Sequence, residues 1–107
     1  MNTLTRLTEW LADEANVNTR QKIHATVEAD FILRKAFVTT NGITISIQMS
    51  MGHHSTPNES VEMWNCPPSP LLMLYGDGED PYAYVPLEVV AGYIDSLETL
   101  GENHDYI

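Results

Sequence analysis

The chain has 107 residues, 43% of them apolar, and carries a formal charge of −10 from fifteen acids set against five bases. That length holds one domain, which buries roughly 65% of its unfolded surface around a single core. No apolar run approaches the ~18 residues of a membrane-spanning helix, the opening MNTLTRLTEWLADE lacks the basic-then-apolar order of a secretory signal, and the single Cys66 excludes an intrachain disulfide or a four-cysteine zinc site.

The spacing predicts an amphipathic helix over 3–15, with Leu4, Leu7, Leu11 and Ala15 on one face and Trp10 beside them. Thr3 or Asn2 can cap it, and Asn16–Asn18 can stop it. Residues 22–29 alternate, Ile23, Ala25, Val27 and Ala29 against His24, Thr26, Glu28 and Asp30. Period two favours a strand; the repeat of Ile23, Val27 and Phe31 every four residues leaves a helix open. Phe37–Ile45 reads as two strands about Asn41-Gly42. A two-residue type I′ turn there would set Val38 opposite Ile45 and Arg34 opposite Met49. Strand 43–51 then shows Ile43, Ile45, Ile47, Met49 and Met51 on one face, with Thr44, Ser46, Gln48 and Ser50 on a wet one. A polar loop over 52–60 leads to a short strand at Val61–Asn65. The Pro-rich Cys66–Pro70 is extended, Leu71–Tyr75 reads as a strand and Gly76–Pro81 as a turn. Tyr82–Val85 is extended into Pro86, which opens a helix over about 86–100. Its buried stripe is Leu87, Val90, Ile94 and Leu97; Glu88, Asp95 and Glu98 face water, Gly101 ends it, and 102–107 form a loose tail. The expectation is a single α+β domain over 1–107: a meandering antiparallel sheet of four to five strands with both terminal helices packed on it.

The charge is unevenly distributed. All five bases, Arg6, Arg20, Lys22, Arg34 and Lys35, precede residue 36, where acids match them. Residues 36–107 contain no Lys or Arg, so the whole −10 belongs to them. Such a surface repels nucleic acid and anionic membrane and attracts basic surfaces. Excess charge also keeps a small domain soluble.

The candidate chemistry is sparse. His24, His53, His54, His104 and Cys66 show no i, i+3 or i, i+4 ligand spacing. Asp77-Gly78-Glu79-Asp80 is too short for a calcium loop. Cys66 precedes Pro67-Pro68 rather than a helix N-terminus that would activate it. There is no nucleophile elbow and no phosphate loop, because no Lys follows Gly76 or Gly78. The sequon Asn58-Glu59-Ser60 has no accompanying secretion signal. No cofactor is expected. Tyr75, Tyr82 and Tyr84 flank the acidic turn. Tyrosines among carboxylates suit an Arg-rich partner, and a core role for Tyr82 and Tyr84 is the alternative.

Ser46 with Gln48-Met49-Ser50, the His-containing loop after it, Val61-Glu62-Met63-Trp64 and the Tyr82–Val90 segment (YAYVPLEVV) resemble small acidic accessory proteins of bacteriophages. That resemblance covers about half the chain and transfers no residue role. It implies a cytoplasmic, non-enzymatic inhibitor of host defence, of anti-CRISPR or antirestriction type, and a possible DNA mimic. The expected partner is a basic, nucleic-acid-handling host protein, met by Asp77, Glu79, Asp80, Tyr82, Glu59 and Glu62. Direct binding of nucleic acid or membrane is not expected. The alternatives are a homo-oligomeric assembly protein, a homodimer for instance, using the sheet edge or the Met49–Met51 face, and a metal-dependent enzyme or sensor built on His24, His53 and His54.

Overall fold

The computed structural model describes residues 2–21, 31–50, 53–76 and 81–102. The expected strand over 22–29, the acidic turn at 77–80 and most of the expected tail lie outside them. Helix α1, Thr3–Ala12, opens on Asn2, whose side chain accepts from the Thr5 N–H at 2.8 Å. It stops earlier than its spacing predicts. Asp13 turns extended and accepts from Ala15 N–H, starting a 3-10 turn over Glu14–Asn16. The buried Asn16 amide donates back to Trp10 O at 2.8 Å. These short polar side chains compete with the helix for backbone groups.

Strands β1, Val17–Gln21, and β2, Phe31–Arg34, form an antiparallel ribbon of their own. Strands β3, Phe37–Val38, β4, Thr44–Gln48, β5, Ser60–Trp64, and β6, Tyr82–Pro86, follow as an antiparallel meander in that order. Helix α2, Leu87–Glu102, continues directly from β6 and runs through Gly101. The expected α+β architecture, a meandering sheet with a helix from each end of the chain, is what forms; the ribbon is an addition to it.

Two local expectations are corrected. The β3–β4 register is one residue off, with Phe37 opposite Ile45 and Val38 opposite Thr44. Thr39 N–H donates to Ile43 O and Gly42 N–H to Thr39 O, closing a three-residue loop in which Gly42, at φ +86°, takes the left-handed position while Asn41 does not. This register buries Phe37 against Ile45 and leaves Val38 58% exposed, whereas the other would send Phe37 outward. Leu71–Tyr75 is not a strand but part of a 3-10 segment, Pro70–Tyr75. Ser69 caps it by accepting from Leu71 N–H, and Pro70 supplies a helical φ.

The inner sheet face contributes Phe37, Ile45, Ile47, Val61, Met63, Tyr82 and Val85 to the core. Leu7 and Leu11 of α1 and Val90, Tyr93, Ile94 and Leu97 of α2 close it. Glu98 was expected to face water. It is instead a half-buried clasp: Arg6 Nη2 lies 2.7 Å from its Oε2, and the Thr40 N–H donates to the same oxygen at 2.8 Å. Burial would push this carboxyl up; the Thr40 N–H and the Arg6 guanidinium outweigh it and hold it below the usual carboxylate range. Gln48, expected on the wet face, is buried. Its Oε1 accepts from Arg34 N–H at 2.8 Å and its Nε2 donates to Arg34 O at 2.9 Å, which ties the ribbon to the sheet.

Candidate partner-binding surface

The bases are largely occupied inside the molecule. Arg6 pairs with Glu98 and Arg20 with Glu14. Arg34 is buried; its Nη2 donates to Leu11 O at the C-terminal end of α1 and its Nη1 to Met49 O. A guanidinium there complements the negative end of the helix dipole, and burial pushes its pKa down. Lys35 is exposed. The acids are disposed differently. Glu9, Asp13, Glu59, Glu88 and Asp95 are all exposed, and none of them meets a cation among the described residues.

The residues expected to bind a partner separate accordingly. Glu59 is exposed and lines a groove of about 400 Å³ with Glu88, over an apolar floor of Leu4, Pro86 and Leu87. Asp77, Glu79 and Asp80 lie outside the described residues. Tyr82 is not a surface anchor: it is 2% exposed, opposite Met63 on the inner face. Glu62 is 4% exposed, too deep to meet a partner's Lys or Arg directly.

Tyr84 is the exposed tyrosine, because β6 carries a bulge. Met63 pairs with Tyr82 and Val61 with Val85, so Ala83 and Tyr84 together oppose Glu62. Tyr84 takes φ +52°, an outlier conformation for a bulky residue, and its ring is thrown outward at 51% exposure. Without the bulge Tyr82 and Tyr84 would share the inner face.

Around Glu62 the outer sheet face is organised. Glu62 Oε2 lies 2.6 Å from His54 Nδ1, and Oε1 accepts from Trp64 Nε1 at 3.1 Å. Burial would raise this carboxyl; the hydrogen bonds from the His54 ring, the Trp64 indole and the His54 N–H outweigh it and hold it below the usual range, so it is ionised. A carboxylate only accepts, so His54 Nδ1 is the donor and Nε2 faces outward with its lone pair when the ring is neutral. The His54 and Tyr84 rings stand edge-to-face at 6.0 Å, and Tyr84 N–H donates to His54 O at 3.0 Å. Trp64 is 43% exposed. His53 turns elsewhere, stacked on Phe31 at 5.2 Å with Nδ1 2.7 Å from Ser50 Oγ. The two histidines therefore serve different neighbours. No group of His, Cys, Asp and Glu among the described residues converges as a metal site.

Trp64, His54 and Glu88 are not marked as partner residues by the sequence, whereas Tyr84 is, with Tyr75 and Tyr82, as a tyrosine among carboxylates. The alternation Val61-Glu62-Met63-Trp64 does mark Glu62 and Trp64 as neighbours on one face; nothing local marks the bulge. No family model, curated protein or solved structure matches this chain, so the reading of its surface rests on its own residues.

Proposed function

We propose that this protein is a non-enzymatic binding protein that occupies a basic surface on a nucleic-acid-handling partner and excludes the nucleic acid, an inhibitor of anti-CRISPR or antirestriction type acting in the cytoplasm. One observation carries the reading: among the described residues Arg6, Arg20 and Arg34 are spent on contacts within the chain, while exposed carboxylates, including Glu59 and Glu88 of one groove, meet no cation. A surface of that kind accelerates association with a positive partner in a salt-dependent way. Asp77, Glu79 and Asp80 add three further negative charges to the chain.

The test is capture from a bacterial lysate by the tagged protein, at about 0.15 M salt and again near 1 M, where the screening length falls to roughly 3 Å. A basic nucleic-acid-binding protein held at low salt and released at high salt is the expected result. Glu59→Lys with Glu88→Lys should weaken that capture at least about tenfold, a loss of 1.4 kcal/mol. Retention unaffected by salt or by these reversals would refute the reading.

A second reading, self-association, is favoured by the 3-10 segment, where Leu71, Met73 and Leu74 are 46%, 55% and 89% exposed. The Met49 side of the sheet is not free for that purpose, because Met49 packs against the core. Light scattering decides: a stable dimer dissociated by Leu74→Glu supports it, and a monomer at micromolar concentration removes it.

A further inference from the structure

We infer that the outer sheet face at Trp64, His54 and Tyr84 is an arginine-reading site, the specific anchor within the acidic docking surface proposed above, on which it rests. Three exposed rings gathered around one buried, ionised carboxylate are an arrangement with a consequence. Glu62 fixes the Trp64 indole and the His54 imidazole by direct hydrogen bonds, and His54 O holds the Tyr84 backbone. The rings are therefore ordered before anything binds, which removes part of the entropic cost of association. Trp and Tyr are the side chains over-represented at the centres of interfaces.

The chemistry of the occupant follows from charge. A phosphate or carboxylate approaching these rings meets the Glu62 charge and a chain of net −10. A cation meets π faces and a negative field. Among protein cations the guanidinium is favoured, because it is planar, stacks on an indole and is weakly hydrated. His54 Nε2, outward and unprotonated in the neutral ring, is an acceptor for one of its N–H groups. The exposed Glu59 and Glu88 carboxylates select positive charge of either kind; the rings distinguish arginine from lysine.

The experiment measures binding of fluorescein-labelled nona-arginine and nona-lysine peptides to the full chain by fluorescence polarisation at about 0.15 M salt. Nona-arginine should bind about five- to tenfold more tightly than nona-lysine, between the values expected of an exposed and of a desolvated cation–π contact. Trp64→Leu, which keeps apolar bulk and removes the indole, should bring the two peptides level. Tyr84→Asn, which tolerates the left-handed backbone at this bulge, should lower the preference at least about twofold. Circular dichroism melting confirms that each variant is folded. Equal binding of the two peptides, or a preference untouched by both variants, overturns the arginine site; if Glu59→Lys with Glu88→Lys still weakens both peptides, the acidic surface stands without it. Absence of binding by either peptide overturns both. Tighter binding of an oligo-dT probe to the same rings would also overturn the site, making the platform one for bases.

Discussion

Glu62, Gln48 and Gly42 each hold something larger than themselves. Glu62→Gln leaves one amide oxygen to serve two ring donors and turns an NH₂ toward the other; the expected loss is about 1–2 kcal/mol in urea unfolding, with a changed Trp64 emission. An unchanged emission would mean that the indole is not anchored there. Gln48→Leu strips partners from both Arg34 N–H and Arg34 O, and should cost roughly 2–4 kcal/mol. A Cβ on Gly42 meets nothing within 4 Å, so Gly42→Ala carries only the backbone penalty of its φ of +86°. That penalty is about 1–2 kcal/mol, and Gly42→Asn should recover much of it. Equal stability of the alanine variant would show that Gly42 does not hold the left-handed conformation, which the two-residue turn would also require of it.

At the level of elements, the sequence is readable where one periodicity dominates and fails where neighbours decide. The stripe Leu87, Val90, Ile94, Leu97 and the alternation Ile45, Ile47 announce the elements they form, because burial of one face is their whole logic. The ribbon of β1 and β2 has no such signature: Val17–Gln21 is VNTRQ, and its strand state depends on Phe31–Arg34 and on the Gln48 amide behind it. Leu71–Tyr75 is apolar enough for a strand, yet Ser69 and Pro70 settle it as 3-10, and Leu72 is its buried side chain. Of the surface residues, Glu59 was legible as an exposed acid. Tyr82 takes the core role that was its alternative. Glu62 sits on the outer face that its alternation with Trp64 marks but is buried beside the His54 and Trp64 rings it bonds, a cover no local pattern announces. The bulge that β5–β6 pairing creates decides Tyr84. The cap of α1 was legible in type. Asn2→Ala should lower stability by about 1 kcal/mol, with the loss visible as reduced helicity.

For the whole molecule, three of the described groups that titrate at acidic pH bind protons less readily when folded than when unfolded. His53 lies below its ordinary 6.5, chiefly through burial, and Glu62 and Glu98 lie below their ordinary 4.5. In each case the unfolded chain takes up the proton first, so stability falls as the pH falls. The His53 contribution is complete above 6.5 and shrinks as pH drops below it; the two glutamates hold theirs down to 4.5 and lose it beneath that value. Urea midpoints from about pH 8 to about pH 4 should be level and then decline, and His53→Gln should delay the first decline. A midpoint that rises on acidification would show that relief of the −10 repulsion outweighs these groups.

The clasp between Arg6 and Glu98 has a bearing on how the protein is made. Its two halves are separated by 92 positions in sequence, and α1 rests on α2 through contacts of similar separation. At roughly 5–20 residues per second, translation spends about 5–20 s between them. Throughout that interval Leu7 and Leu11 have no α2 to cover them. Helix α1 therefore waits as an amphipathic segment with its apolar side uncovered, open to chaperones or to the same segment on a neighbouring nascent chain, until synthesis reaches α2.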